Sequence, residues 1–417
     1  MASLAPESSG SGGPLRGDGA PVRLVARAGQ AAGRTRRQRL AVWWQEIDRV
    51  SLLIVLVLMG IGAVAVAAGS PVSARHHSTD KQTLPDLYFF YIHVRWQLLG
   101  LAAMFWASGL NKEAARRFGI LIAGGMFLAL PFVFVPGIGH EVNGARRWLN
   151  LGLSLQPSEF LKCGWPILLA WILTWRARDP NIPVVGICFG LMVMLGALLM
   201  LQPDFGSTML FSGAFMVMVL LAGFDMQKIA GLAGVGLVGI VVMYFTYDNG
   251  RNRIDSFLFG GNAFDQVALA QRTLLNGGWL GQGFWMGTRK MALPEAHTDY
   301  IFSVIGEEFG LLACVVIVAL YLAFLARVML RLTEEEDLFT VLAGAGMAAQ
   351  FGGQAFINIL VNLQLFPSKG MTLPLISYGG SSTVALCLTM GLLLAITRRN
   401  PFIRREKFPL RLNGDLS

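Results

Sequence analysis

The run Pro294-Glu-Ala-His-Thr-Asp-Tyr-Ile-Phe-Ser-Val-Ile-Gly-Glu-Glu308 sets His297 and Asp299 at the mouth of a long apolar stretch and two more carboxylates, Glu307 and Glu308, inside it. Ionisable groups are costly at membrane depth, so each needs a partner or a task. A carboxylate at such a mouth can act as a general base, taking a proton from a sugar hydroxyl as that oxygen attacks an activated centre. The competing reading is local: Pro294 lies in the connection before a helix, and Thr298 or Asp299 can serve as its N-cap. Function is the stronger reading for Asp299. Glu307 and Glu308 read as inward-facing acids bonded to neighbouring elements.

Other charges fall into patterns that such chemistry could use. A basic side chain can hold a diphosphate leaving group, and the outer segments carry several: Arg146, Arg147, Arg251, Arg253, Arg272, Arg289, Lys290 and Lys369. Asp248, Asp255 and Asp265 can neutralise many of them, and most read as solvated. Two stand apart. Arg147 precedes Trp148 at a membrane boundary, and Lys369 lies in Phe366-Pro-Ser-Lys-Gly-Met-Thr-Leu-Pro-Leu-Ile-Ser-Tyr-Gly-Gly-Ser-Ser382, whose prolines and paired glycines suit a broken, re-entrant backbone. Glu159 and Lys162 are three apart on one helical face and within reach of an ion pair, which serves packing and function equally. Gln350, Gln354, Asn358 and Asn362 recur every four residues, a polar stripe that reads first as interhelical glue. Asp204, in the turn Gln202-Pro-Asp-Phe-Gly-Ser207, suits a helix cap.

The elements that would position these groups are membrane spans. The chain has 417 residues, 54% hydrophobic and 14% charged, with repeated apolar runs near the ~20 residues a spanning helix needs. Helical spans are predicted at about 50–69, 91–110, 118–137, 157–175, 183–202, 205–223, 227–246, 300–327, 338–361 and 381–397. The fold class is therefore an all-α integral membrane protein of about ten helices, with a large extracytoplasmic loop, 247–299, between the seventh and eighth. Residues 1–45 read as a disordered basic cytoplasmic tail, 46–400 as the membrane domain and 401–417 as a second short basic tail. The net charge of +9 is concentrated partly in these ends, and the arginines there put both termini in the cytoplasm. Arg34, Arg36, Arg37 and Arg39, followed by Trp43 and Trp44, suit an anionic inner membrane surface; no folded basic domain points to nucleic acid. Cys163, Cys188, Cys314 and Cys387 lie within spans and form no CxxC or Cys/His set, so they suggest neither disulfide nor metal. No cleavable signal peptide is visible.

The residues alone describe an outward-facing cavity with one well-placed acid, cations able to meet phosphate, and a long loop over it. That suits a transferase acting on a lipid-linked substrate. It also suits a transporter in which Asp299, Glu307 and the amide stripe line a path. No P-loop, dinucleotide fingerprint or HExxH is present, which sets aside nucleotide-driven transport and zinc proteolysis.

Five ordered motifs add what spacing does not. Asn143-Gly-Ala-Arg-Arg-Trp-Leu149, Gln156-Pro-Ser-Glu-Phe-Leu-Lys162, Gln202-Pro-Asp-Phe-Gly206, Leu293-Pro-Glu-Ala-His-Thr-Asp299 with Ile305-Gly-Glu-Glu308, and Pro367 through Ser382 resemble the bacterial SEDS family, named for shape, elongation, division and sporulation. The likeness runs from about residue 45 to 400, and its wording is nearer the division branch than the elongation branch. The resemblance implies a ten-helix glycosyltransferase that polymerises lipid II on the outer face of the bacterial cytoplasmic membrane, at the division septum. It implies a class B penicillin-binding protein and other division proteins as partners, with lipid II flipping as the alternative activity. It makes Asp299 the catalytic base for the acceptor's GlcNAc 4-hydroxyl. Arg147, Glu159, Lys162, Lys369 and His297 are matched to further functional positions on the diphosphate and lipid II. A divalent cation such as Mg2+ would suit the diphosphate, although no ligand set in the sequence holds one. The tail before residue 45 and the region 248–272 depart from the family pattern.

Overall fold

The computed structural model describes residues 36–78, 83–142, 145–150, 152, 154–260, 262–367 and 370–399. The predicted basic tails before residue 36 and after residue 399 lie outside the described residues, as does Lys369. Ile47–Arg399 forms one compact unit. Helix α1, Arg36–Glu46, belongs to the other unit. It corrects the expectation of a disordered tail to residue 45: Arg36-Arg-Gln-Arg-Leu-Ala-Val-Trp-Trp-Gln-Glu46 contains no Gly or Pro and is rich in helix formers.

The apolar runs become helices where they were predicted. They are α2 Arg49–His77, α3 Tyr88–Ser108, α4 Lys112–Ala129, α5 Pro157–Leu173, α6 Val184–Leu201, α7 Phe205–Leu221 and α8 Met226–Thr246, then α11 Ile301–Leu332, α12 Leu338–Asn362 and α13 Gly380–Ile396. Five of these regions, containing α2, α4, α6, α8 and α11, are long and apolar enough to cross a membrane; α7 and α13 are shorter apolar helices. α13 lies along α3, α5 packs on α4, and α12 fits against α5 and α7, while α11 packs on α2. α2 runs eight residues past its predicted end, through Gly69 and Pro71, because Ser70, Ser73 and Ala74 are buried against the segments that carry the candidate site. Gly62 on α2 is required by a close approach. A Cβ there would sit 2.7 Å from the Leu375 carbonyl oxygen and 2.8 Å from the Ile376 Cα.

The connections between the helices are more ordered than an all-α reading allows. Between α4 and α5 a small antiparallel sheet forms from β1 Gly139–Val142, β2 Ala145–Asn150 and β3 Ser154–Leu155, in the order β1-β2-β3. Its sequence signal, Asn143-Gly144, is a hairpin signature in the connection between the spans predicted at 118–137 and 157–175. The long loop folds into α9 Asp248–Phe259, α10 Asn262–Asn276 and a single 3-10 turn, Arg289–Ala292.

α11 is broken at Gly310, whose φ of 82° and ψ of 173° end its first turns. The chain exposes backbone groups there, and the segment 278–283 meets them. The Leu311 and Leu312 amides donate to the Gly278 and Trp279 carbonyls at 2.9 and 3.3 Å, and the Gln282 and Gly283 amides donate to the Glu307 and Glu308 carbonyls at 2.8 and 3.0 Å. A helix break within a membrane protein persists when protein supplies such partners.

Candidate active site

Asp299 sits two residues before α11, in the connection that the break and the long loop hold in place. The helix N-cap is Tyr300, and no side chain caps it; the Thr298 hydroxyl donates to the Glu295 carboxylate at 2.7 Å. Asp299 is therefore not in its position as a cap. Its main chain is gripped instead: the Asn358 and Asn362 amides on α12 both donate to its carbonyl oxygen, at 2.8 and 3.1 Å. Asn358 also donates to the Met371 carbonyl at 2.7 Å, and Asn362 accepts from the Ser303 hydroxyl at 2.7 Å. The polar stripe is glue, as its spacing suggested, and what it glues is the backbone of the candidate base. Gln350, two turns before Asn358 on α12, is buried with neither amide atom partnered among the described residues.

The Asp299 carboxylate itself makes no hydrogen bond or ion pair among the described residues and remains partly exposed. Gly370 lies close enough that a Cβ on it would be 3.3 Å from Asp299 Oδ2. Burial pushes the Asp299 carboxyl up to about 7, and the Glu295 carboxylate adds to the rise; Arg253 and Arg147 pull the other way without cancelling it. A carboxylate poised near neutral pH and free of hydrogen bonds is suited to accept a proton.

Arg147 is carried by β2 and reaches the turn before α7, donating from Nε to the Gln202 carbonyl at 2.9 Å and from a terminal nitrogen to the Pro203 carbonyl. Asp204, next in that turn, caps α7 by accepting from the Ser207 amide at 3.2 Å, as its position suggested. Strand β2 and the turn before α7 are thus pinned together by the guanidinium, which also acts electrostatically on Asp299.

Glu159 and Lys162 form the predicted pair at 2.8 Å, and both are nearly enclosed. Lys162 also donates to Gln354 at 3.0 Å. Gln354 donates to the Thr372 carbonyl at 3.0 Å, and the Ser382 hydroxyl donates to Glu159 at 2.8 Å. The ring of contacts joins α5, α12, the 370–379 segment and α13, so this pair acts as a positioning group for that segment.

His297 occupies a different environment from the one expected of a phosphate ligand. It is 3% exposed, its Nδ1 lies 2.6 Å from the Ser73 hydroxyl, and its ring packs among Phe89, His77 and Tyr378. Burial pushes its pKa down to about 3, with His77 and His93 adding to the effect. A neutral, enclosed imidazole supports the loop and offers no cation to a diphosphate. Its own carbonyl accepts from the Tyr378 amide at 2.9 Å, which ties the Asp299 connection to the 370–379 segment a second time.

Glu307 and Glu308 are structural, as read from the sequence. Glu307 accepts from Asn276 and from the Arg289 and Lys290 amides at 2.8, 2.7 and 2.8 Å. Glu308 accepts from the Trp285 and Gly287 amides and pairs with the buried Lys290 ammonium, which donates to the Ala68 carbonyl at 3.0 Å. Two buried acids thereby fold the 285–290 segment around themselves. Among the described residues no three His, Cys, Asp or Glu side chains are grouped to hold a metal ion.

A residue that sequence reasoning passed over is Arg253 on α9, which lines a cavity beside Pro203 and Pro367 and bears on Asp299 electrostatically. The signal was in the loop's charge, but nothing in one dimension separates Arg253 from Arg251, which pairs with Asp255 at 3.4 Å.

Against known proteins, residues 49–401 match the family model of FtsW, RodA and SpoVE, described as cell cycle protein. The chain is 36% identical over 386 residues to a protein of Caulobacter vibrioides named probable peptidoglycan glycosyltransferase FtsW, covering 91% of this chain and 96% of that one. A protein of the same name from Thioalkalivibrio sulfidiphilus is 35% identical, with 91% and 95% covered. Among solved structures, a peptidoglycan synthase complex, described as coordinating polymerization and crosslinking, superposes with a TM-score of 0.68 at 27% identity, covering 84% of this chain and 97% of that one. The Thermus thermophilus rod shape determining protein RodA superposes with a TM-score of 0.62 at 26% identity, covering 85% and 97%.

Proposed function

The chain belongs to the FtsW, RodA and SpoVE family of cell cycle proteins, and from that premise we propose that Asp299 is the general base of a peptidoglycan glycosyltransferase that polymerises lipid II during cell division. The observation that carries the reading is the state of that carboxylate. It is held by its backbone, unbonded at its oxygens among the described residues, and raised to about 7. The protein is a multi-pass membrane protein. In the proposed arrangement its ten apolar helices all cross the cytoplasmic membrane at the septum, both termini are cytoplasmic, and the α9–α10 region lies on the outer face.

The reaction then runs as follows. Asp299 takes the proton of the acceptor's GlcNAc 4-hydroxyl, and the oxygen attacks the anomeric carbon of the lipid-linked donor from the face opposite the diphosphate. The glycosidic bond forms with inversion, the carbon–oxygen bond to undecaprenyl diphosphate breaks with its electron pair going to the phosphate oxygen, and the resulting trianionic group departs toward cationic side chains. Arg147 is placed to contribute there through its remaining N–H donors, since its contacts to Gln202 and Pro203 fix the guanidinium without neutralising it. Lys369 is proposed for the same role on sequence grounds. Glu159 and Lys162 are proposed to hold the 370–379 segment, and no step is routed through a divalent cation. The partner proposed is a class B penicillin-binding protein supplying the crosslinking activity, supported by the likeness to a peptidoglycan synthase complex.

The test supplies labelled lipid II to the purified chain with that partner and compares wild type with Asp299→Ala. Long glycan strands from the wild type, reduced on the order of 10²–10⁴-fold in rate by the substitution, are expected. Lipid II crossing a vesicle bilayer without polymer, regardless of Asp299, would replace this reading with a flippase.

A further inference from the structure

Between α10 and the 3-10 turn the chain carries a dense set of uncovered apolar side chains. Leu275, Trp279, Leu280, Phe284, Trp285 and Met286 are all exposed, Trp279 at 67% and Leu280 at 80%. Their backbone is nonetheless fixed. The Leu311 and Leu312 amides donate to the Gly278 and Trp279 carbonyls, the Trp285 indole N–H donates to the Ala67 carbonyl at 3.1 Å, and the Trp285 amide donates to Glu308. Leu311 lies ten residues along α11 from Ile301, about 15 Å at ~1.5 Å per residue. With α11 crossing the bilayer, the tip of the segment therefore sits among the acyl chains of the leaflet at whose face that helix begins. A non-helical backbone is tolerated there because protein supplies its hydrogen bonds. Two arginines that read as solvated in the sequence flank the segment. Arg272 on α10 and Arg289 on the 3-10 turn line one cavity of about 330 Å³, together with Leu269, Thr288 and Met291. Among the described residues neither guanidinium, nor the Thr288 hydroxyl, has a hydrogen-bond or ion-pair partner. The charges beside them are already matched: Lys290 pairs with Glu308, and Glu307 accepts from Asn276 and from the Arg289 and Lys290 amides.

We propose that Arg272, Arg289 and Thr288 hold the phosphodiester of an anionic phospholipid of the phosphatidylglycerol type, while the 275–286 segment is inserted among the acyl chains of the same leaflet. The two halves of the site fit one molecule. A phospholipid carries its phosphate at the membrane face and its chains below, and here the unpaired donors adjoin an apolar tip that reaches to the depth of Leu311. A planar guanidinium meets two phosphate oxygens at once, in a way that an ammonium does not, and the Thr288 hydroxyl can donate to a third. Leu269 and Met291 give the cavity an apolar wall for the glycerol ester region. The sign of the charge selects the headgroup. One phosphodiester neutralises one of the two arginines, and the other repels the ammonium of a zwitterionic lipid while tolerating an uncharged glycerol. Neither arginine is among the side chains that act on Asp299, which are Glu295, Arg253 and Arg147. The cavity is thus a cationic site apart from the candidate base, and it requires only that α11 span the bilayer, not the chemistry proposed for Asp299.

The test reads the apolar tip and the arginines together. The full chain carrying Leu280→Cys is labelled with bimane, the four native cysteines being buried, and placed in phosphatidylcholine nanodiscs with increasing fractions of phosphatidylglycerol brominated on its acyl chains. Bimane fluorescence is expected to fall along a saturating curve. Arg272→Ala and Arg289→Ala should each raise its midpoint about fivefold, and together roughly twenty-five-fold, with the lysine variants between them and the parent. Both arginines are exposed, so the substitutions leave the packing intact, and thermal melts check that each variant is folded. Brominated phosphatidylethanolamine should quench without saturating and without regard to either substitution. Equal quenching by the two lipids in the parent protein, or an unchanged midpoint in the double variant, overturns the proposal. Absence of quenching by any brominated lipid places residue 280 in water or under protein and overturns it too. Quenching by phosphatidylglycerol that millimolar inorganic phosphate displaces makes the cavity a site for the free anion, and quenching that disappears when a class B penicillin-binding protein is added assigns the segment to a protein interface; either result removes the lipid from the site.

Discussion

If Asp299 is the base, the rate must follow its ionisation, and the position of that titration is set by the fold. An ordinary aspartate, near 3.8, is fully ionised across the range in which a membrane enzyme can be assayed, so its rate would be flat from pH 5 to 8. With the carboxyl at about 7, roughly half the molecules carry the base at pH 7, about a tenth at pH 6 and about a hundredth at pH 5. kcat/KM for glycan synthesis should therefore fall about fivefold from pH 7 to 6, fall about tenfold more by pH 5, and rise less than twofold from pH 7 to 8. The same displacement carries a stability consequence of fixed sign. Below pH 3.8 folded and unfolded chains are both protonated and the group contributes nothing. As pH rises, the unfolded chain releases its proton first, so the folded state is penalised increasingly until about pH 7, by up to about 4 kcal/mol at ~1.4 kcal/mol per pH unit. Asp299→Asn should then abolish polymerisation while raising the thermal midpoint at pH 8 and leaving it unchanged near pH 4. Initial rates with labelled lipid II over pH 5–8, and melting curves of the two proteins at both pH values, check the two halves. A flat rate profile together with an Asn variant no more stable than wild type at pH 8 would refute the reasoning.

Other perturbations separate positioning from chemistry. Glu308→Ala removes the carboxylate from a buried Lys290 and from two loop amides, and is expected to cost about 3–5 kcal/mol, read as a lowered melting temperature and as new proteolytic cleavage in 277–292. Lys162→Met alone should leave Glu159 as an uncompensated enclosed charge and be more damaging, by about 1–3 kcal/mol, than the double variant Glu159→Gln with Lys162→Met; a double-mutant cycle on thermal stability measures it. Gly62→Ala drives a methyl into the Leu375 and Ile376 backbone and should cost about 1–3 kcal/mol, with a loss of polymerisation larger than the loss of folded protein because that backbone belongs to the segment facing Asp299.

Much of the helical frame is legible in the sequence because an apolar run of membrane length has few other ways to satisfy its backbone. Within about eight residues, α2 to α8 and α11 to α13 fall where hydropathy puts them. The misses have identifiable causes. The end of α2 was misplaced because Gly69 and Pro71 are local stop signals, whereas the burial of Ser70, Ser73 and Ala74 is a tertiary fact. The sheet that carries Arg147 lies in the connection between the spans predicted at 118–137 and 157–175, where hydropathy predicts no element and the Asn-Gly hairpin signal is the one local cue. Among the site residues, Glu307 and Glu308 could be assigned as structural because buried acids need donors, and the loop amides supply them. His297 could not be placed, since exposure alone decides whether an imidazole is a ligand or a strut. Arg253 could not be told from its neighbours, because α9 gives them different surroundings only once it is folded against the 366–367 segment.

The amide stripe clarifies why the acid can be both fixed and reactive. A carboxylate anchored through its own oxygens would have its charge stabilised by the anchoring donors, which lowers its pKa and weakens it as a base. Here the donors of Asn358 and Asn362 are spent on the Asp299 carbonyl, and the amides of the loop that follows α10 donate to Glu307 and Glu308, so position is supplied by the main chain and the Asp299 carboxylate oxygens stay uncommitted among the described residues. The cations that do bear on it, Arg253 and Arg147, do so with no hydrogen bond or ion pair to its carboxylate among the described residues. In the proposed reaction, as the diphosphate leaves with its negative charge, Arg147 turns from favouring ionised Asp299 to holding the product. The proton on Asp299 is then easier to keep, because burial and Glu295 favour the neutral acid. Under the proposed mechanism each turnover ends with the acid protonated, and shedding that proton to the outer phase is what readies the site for the next acceptor.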